Sequence, residues 1–169
     1  SVRIDYYNTN AVGEVDDLNT PGFSLSGLSS ASLTFDVAHR PYTGQSDKLE
    51  VLISPGCGMA YEVIYSKSGT TLQTETGNTA AYTAPSTWRN ETVNLTPYIG
   101  NSQVSIKFRG TNGYSNYIYL DNINISGVTG SVATANFTSS TSTSCVGQTV
   151  TFTNSSSGAT SWNWNFGTG

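Results

Sequence analysis

Apolar and polar residues alternate with a period of two in segment after segment of this chain, and no stretch shows a convincing 3.6-residue repeat. Leu33, Phe35 and Val37 alternate with Thr34 and Asp36, and Val104, Ile106 and Phe108 alternate with Ser105 and Lys107. Leu49, Val51 and Ile53 are interleaved with Glu50 and Leu52, so that strand is expected to be buried on both faces at its end. Tyr61, Val63 and Tyr65 follow, and a further strand is expected from Trp88 to Leu95. Turn clusters separate these segments: Tyr42-Thr43-Gly44-Gln45, Ser54-Pro55-Gly56-Cys57-Gly58 and Thr111-Asn112-Gly113-Tyr114. Successive side chains of a strand point to opposite faces, so each segment offers one face to a core and one to water. About eight such strands in roughly 125 residues predict an antiparallel double-sheet sandwich, most simply a jelly roll.

The segment Asn116 to Ser126 breaks the rule. Ile118 and Leu120 fall on even positions, whereas Ile123 and Ile125 fall on odd ones. Either both faces are buried early, or the phase slips by one residue at Asp121-Asn122, as a β-bulge would produce.

Charge divides the chain. Charged residues make up 11% of it, against about 25% in ordinary globular proteins, and all of them lie at or before Asp121. Around Ser126-Gly127-Val128-Thr129-Gly130-Ser131 the sequence becomes a small-residue linker. Residues 1–128 are therefore read as one β-sandwich module and 129–169 as a second piece. A net charge of −4 is wrong for an electrostatic nucleic-acid binder. Aromatic content of 11% is too high for a disordered chain, and no apolar run approaches a membrane span. Helix formers are scarce, and Ser, Thr and Asn supply most of the polarity. Both ends read as cuts in a longer polypeptide with further domains. Cys57 and Cys145 lack the spacing of a zinc site, and they are either two unpaired thiols or one long-range disulfide.

In the second piece, Ala133–Phe137, Thr149–Asn154 and Ser161–Phe166 read as three strands. Gly147-Gln148-Thr149-Val150-Thr151-Phe152 and Trp162-Asn163-Trp164-Asn165-Phe166-Gly167-Thr168-Gly169 resemble the start of a PKD domain, with Thr168 where the usual turn Asp stands. The resemblance implies a partial immunoglobulin-like β-sandwich, truncated after its first half, with Trp162 and Trp164 in its core. The first piece is similar to the jelly-roll modules, distantly MAM-like, found C-terminal in secreted pappalysin-like metallopeptidases and surface proteins of Bacteroidetes. That similarity is carried by Asp17-Leu18-Asn19-Thr20-Pro21, Leu33–Ala38, Ser46–Val51, Ser54–Gly58 and Tyr119-Leu120-Asp121-Asn122-Ile123. It implies a secreted or cell-surface location.

Groups for catalysis are sparse. His39 is the one histidine, and its setting Ala38-His39-Arg40-Pro41 reads as a strand end. No H-E-x-x-H, G-x-S-x-G or phosphate-binding loop is present. Asp36, Asp47, Glu50 and Glu62 alternate mostly with apolar residues, as a solvated sheet face requires, so no enzyme is expected. Four of the eleven acids, Asp5, Glu14, Asp16 and Asp17, lie within residues 1–17. If the terminal strands meet, as the resemblance implies, Glu14, Asp16 and Asp17 could join Asp121 around a structural calcium, which prefers six to eight oxygens. The alternative is a solvated acidic loop. Sugars stack on exposed aromatic rings, and amides beside the rings satisfy hydroxyls. Tyr114 and Tyr117 with Asn112, and Tyr42 and Trp88, are the ligand-binding candidates; the alternative is ordinary half-buried strand tyrosines. The reading is a non-catalytic adhesion or carbohydrate-binding module whose partner is an extracellular glycan or surface protein. The other readings are an accessory C-terminal domain of a secreted metallopeptidase and a structural spacer in an adhesin.

Overall fold

A computed structural model describes residues 1–130 and 133–167. Ser131 of the linker, and Thr168 and Gly169 of the second motif, lie outside the described residues. The chain divides into two compact units, Ser1–Thr129 and Gly130–Gly169.

The first unit carries eight strands: β1 (Val2–Ile4), β2 (Val15–Asn19), β3 (Leu28–His39), β4 (Lys48–Ser54), β5 (Glu62–Ser68), β6 (Arg89–Asn94), β7 (Ser105–Thr111) and β8 (Ile118–Thr129). They form two antiparallel sheets, one ordered β1-β8-β3-β6 and the other β2-β7-β4-β5. The chain crosses between sheets at nearly every connection, and this order is that of a jelly roll. A single helical turn, α1 (Gly69–Leu72), follows β5, and a 3-10 turn spans Thr96–Tyr98.

Period-two patterning places the core. Leu33, Phe35 and Val37 of β3 face Leu49, Val51 and Ile53 of β4 and Ile106 and Phe108 of β7, all fully buried. The Phe35 ring meets Phe108 edge-on at 5.1 Å and Tyr65 at 5.4 Å. Leu52 and Ser54 are buried too, so the end of β4 is covered on both faces. Gly110 of β7 lets the Tyr6 ring lie against the backbone, where a Cβ would come within 2.5 Å of the hydroxyl.

The phase slip in β8 is a bulge. Asp121 lies opposite Asp36 and Asn124 opposite Thr34, so the partner strand has one residue fewer across this interval. Asn122 absorbs the difference at φ 48°, in the left-handed region that Asn tolerates better than most residues. A second bulge, between Val51/Leu52 and Tyr65/Val63, corrects the expected alternation of β5. There Ile64 and Tyr65 both pack on the core, while Tyr61 and Val63 are exposed.

An ion pair closes the β5–β6 side of the sandwich. Glu91, on the inner face of β6, receives Lys67 of β5 and Arg89 at 2.6 Å each. Burial opposes the Glu91 charge, but these two cations outweigh it and hold the carboxyl below its ordinary range. Arg89 also donates to the carbonyls of Gln73, Leu72 and Thr71, satisfying the end of α1.

Among its described residues the second unit holds two short antiparallel strands, β9 (Phe137–Ser139) and β10 (Phe152–Asn154). The third strand expected over Ser161–Phe166 is not formed. That stretch is tied on by its rings: Trp164 lies 5.7 Å from Phe137 and 6.2 Å from Phe152, and stacks on Phe166 at 5.9 Å. Trp162 and Trp164, expected in a core, are exposed. A two-stranded sheet has no second layer to bury them.

Candidate functional site

The metal set expected from sequence does not assemble. Leu18 of β2 packs inward, which turns Asp17 outward on the second sheet, where Arg109 reaches it at 2.8 Å and Lys107 at 3.0 Å. The Arg109 hydrogen bond outweighs the burial cost and brings the Asp17 carboxyl down to about 2. Asp121 points outward from β8 in the first sheet, with the Ser1 ammonium 3.5 Å away. Asp17 and Asp121 thus face away from each other on opposite sheets. Asp16 lies beside Tyr6 but remains exposed, as does Glu14 just before β2. Among the described residues no group of three or more His, Cys, Asp or Glu side chains is disposed around a common metal position. Cys57 and Cys145 are both free and exposed.

Asp36, Asp47, Glu50 and Glu62 also occupy four separate places. Glu50 pairs with Lys48 at 3.0 Å on the outside of the second sheet. Asp36 is on the outside of the first, held by the amides of Asn90 at 2.8 Å and Asn122 at 2.7 Å. Asp47 is fully buried, and sequence patterning missed its role. Its carboxylate accepts backbone N–H bonds from Gly113 at 2.8 Å, Ser115 at 3.3 Å and Asn116 at 2.9 Å, so it anchors the 112–117 loop from below. The one available signal was Gly113, whose Cβ would collide with the Ser46 carbonyl. His39 is fully buried beside it, with Nδ1 3.0 Å from the Tyr117 carbonyl and Nε2 3.9 Å from Asp47. Burial pushes the imidazole down and the carboxyl up, each toward its neutral form. An unprotonated imidazole donates from Nδ1 to Tyr117 and leaves Nε2 as a bare lone pair.

Above this anchor the tyrosines form a belt across the end of the first sheet. Tyr42 meets Tyr7 at 6.2 Å, Tyr7 meets Tyr117 at 5.9 Å, Tyr117 meets Tyr119 at 6.2 Å, and Tyr119 meets Trp88 at 6.4 Å. The Arg3 guanidinium lies 4.6 Å over the Tyr117 ring. Two candidate residues are corrected by this packing. Tyr117 is only 5% exposed, boxed in by Arg3, Tyr7 and Tyr119, and its ring face is closed to a ligand. Asn112 is buried; its amide donates to the Thr9 carbonyl at 3.1 Å and accepts the Tyr114 N–H at 2.6 Å, fixing the loop from within. Of the candidate rings, Trp88 is 37% exposed and Tyr114 43% exposed, and Tyr42 is half-buried, as is Tyr7 beside it. Tyr114 sits at φ 60°, a conformation costly for an aromatic residue and held here by the Asn112 side chain. The Tyr42 N–H donates to Ser115 at 2.9 Å, joining the 42 turn to the same loop.

Glu75 organises the segment that carries Trp88. Its Oε1 accepts the Tyr82 hydroxyl at 2.5 Å, the Ser86 N–H at 3.0 Å and hydroxyl at 2.9 Å, and the Thr87 N–H at 2.9 Å. Burial works against this charge, but the Tyr82 and Ser86–Thr87 donors win and hold the carboxyl down at about 2. A carboxyl lowered on folding contributes stability that is complete above its ordinary value of 4.5 and is lost as pH falls toward 2. Glu75→Ala should therefore flatten the acid limb of the urea-stability curve in that window and speed amide exchange at Ser86 and Thr87. An unchanged acid limb would count against this role.

No protein-family model and no curated protein matches the chain. Solved structures do. The K3 cleaved adhesin domain of Lys-gingipain from Porphyromonas gingivalis W83 aligns with a TM-score of 0.53 and 20% identity, covering 73% of this chain and 71% of that one. The K1 cleaved adhesin domain of the same protein aligns with a TM-score of 0.50 and 20% identity, covering 73% and 72%. A carbohydrate-binding module, CBM27-1 of Caldicellulosiruptor saccharolyticus, solved with mannohexaose, gives a TM-score of 0.45 and 17% identity, covering 72% and 71%. At 20% identity the likeness to the gingipain domains is one of fold, and the chain shares the β-sandwich of those adhesin domains.

Proposed function

We propose that this chain is a non-catalytic adhesion module of a secreted or surface-exposed protein, and that it engages extracellular glycan through exposed aromatic rings, Trp88 at one end of the tyrosine belt and Tyr114 on the 112–117 loop. The observation that carries the reading is the anchoring of Trp88 and Tyr114. Both rings stand in water, yet each sits on a segment held by a carboxylate, half-buried Glu75 for one and buried Asp47 for the other. Rigid, exposed aromatic rings lose little entropy on stacking against a sugar face. The likeness in fold to adhesin domains supports the same reading. So does the burial of His39, which keeps the one imidazole of the chain away from any substrate. The second unit is then an immunoglobulin-like piece of PKD type, a reading supported by Gly147–Phe152 and Trp162–Phe166.

A glycan array probed with the full chain tests this. Trp88→Ala and Tyr114→Ala should each weaken binding at least tenfold, about 1.4 kcal/mol, while the melting temperature stays within about 2 °C, as for an exposed site. Full binding by both variants would overturn the reading.

A further inference from the structure

The two outer faces of the sandwich differ in kind. On the second sheet the register aligns Asp17, Arg109, Glu50 and Ser66 in one row across the four strands. Lys107 and Lys48 flank that row, pairing with Asp17 and Glu50 at 3.0 Å each. Such a face is built to stay wet, because paired ions are costly to strip of water.

The first sheet aligns different residues. Its outward rows are Asn124–Thr34–Thr92 and Ser126–Ser32–Asn94, neutral throughout, with the Asp121–Asp36–Asn90 row beside them. The next outward pair is Tyr119–Ala38, and Trp88 lies against Tyr119. The Asp36 carboxylate is already bonded to two amides, so its charge does not stand bare. At the far end, Ser30, Ser32, Thr92, Asn94, Ser126 and Gly127 line a groove of about 470 Å³.

We infer that this outward face of β8, β3 and β6 is the binding track for a neutral, linear oligosaccharide that runs from the Trp88 platform along the hydroxyl and amide rows to the groove. The inference rests on the glycan-binding reading above and assigns it a ligand class and a path. Four things point the same way. Hydroxyls and amides cost far less to desolvate than ions, and a sugar's hydroxyls can replace their water bonds one for one. Thr, Ser and Asn offer donors and acceptors of the same type as the ligand's. The three rows Asn124–Thr34–Thr92, Ser126–Ser32–Asn94 and Asp121–Asp36–Asn90 hold no Lys or Arg, and Arg3 lies only beside the Tyr119 end, so most of the path offers a polyanion no cationic side chain. Rows on one face recur every two residues, so the track from Ala38 to Ser32 is about 20 Å long, which suits several consecutive rings.

The test uses the full chain, soluble neutral hexaoses (cello-, xylo-, manno- and N-acetylchito-), and heparin and oligogalacturonate as charged probes, read by calorimetry and by backbone amide shifts. Thr92→Arg fills the middle of the track, and Ser66→Arg makes the same change on the outside of the second sheet. The expected result is binding of at least one neutral hexaose, weakened tenfold or more by Thr92→Arg and unchanged by Ser66→Arg. Shifts should concentrate at Thr34, Thr92, Asn94 and Asn124, which reports the track even if Thr92→Arg perturbs folding. Neutral binding that survives Thr92→Arg but is lost in Tyr114→Ala would overturn the track and leave the glycan-binding reading standing. Binding of charged probes alone would also overturn it. No binding to any probe would remove both.

Discussion

Replacing Asp47 by Ala is expected to cost about 3–6 kcal/mol, the largest effect of any polar substitution in the chain. The carboxylate satisfies the N–H groups of Gly113, Ser115 and Asn116, and all of its surface is buried. Removing it leaves the buried N–H groups of Ser115 and Asn116 without partners, at about 1–3 kcal/mol each, and frees the half-buried N–H of Gly113 as well. A domain of this kind has only about 5–15 kcal/mol in total. Asp47→Asn should cost less, about 1–2 kcal/mol. Its amide oxygen can still accept from Gly113 and Ser115, while its NH₂ takes the place of the oxygen that accepts from Asn116 and sets two donors against each other there. Urea unfolding of the three proteins checks the order wild type, Asn, Ala. An Asp47→Ala cost below about 1 kcal/mol would mean that water replaces the carboxylate and that the 112–117 loop is not held from below. On the proposed glycan-binding reading, the Ala variant should also bind more weakly than its residual folded fraction explains, because Tyr114 rides on this loop.

How far the sequence could be read follows from which interactions are periodic. Leu33, Phe35, Val37, Ile106 and Phe108 alternate cleanly, and they are the inner faces of the two sheets. The break between Leu120 and Ile123 located a bulge because a period of two cannot slip without leaving a mark. The β5 bulge left no comparable mark. Tyr61, Val63 and Tyr65 alternate as well as any core strand does, and only pairing with β4 shows that Ile64 joins Tyr65 on the inside. Site residues were harder still. Asp121 and Asp17 have the chemistry of calcium ligands, but cross-strand partners fixed elsewhere decide their places: Asp36 across the β8 bulge for one, the Arg109 guanidinium for the other. Tyr117 and Tyr114 are three residues apart in sequence and opposite in exposure, because Tyr117 falls beneath Arg3 and Tyr7. Aromatic residues near Asn look alike whether they bind a ligand or close a loop. Asp47 carries no local signature, since its three donors come from residues more than 60 positions away.

Phe35→Ala should destabilise the first unit by about 3–5 kcal/mol, the usual range for deleting a buried aromatic ring. For a domain of this size the loss lowers the melting temperature by roughly 10–20 °C. Phe35 projects from the middle of the first sheet and is the ring on which both Phe108 of β7 and Tyr65 of β5 close, at 5.1 and 5.4 Å. Those two strands belong to the second sheet, so one side chain binds the layers together at two places. A cavity there cannot be refilled by a single neighbour, because Phe108 and Tyr65 approach it from different strands. The Tyr65 hydroxyl is buried near Glu91, so a shift of its ring would also disturb the Lys67–Glu91–Arg89 closure at the β5–β6 side. Phe35→Leu keeps most of the volume and should lose about half as much. Val63→Ala, an exposed position on β5, should change stability by less than about 0.5 kcal/mol. If Phe35→Ala fell in that same small range, the sheets could not be packed through Phe35, and the alternation that places Leu33, Phe35 and Val37 inward would have to be assigned to the other face.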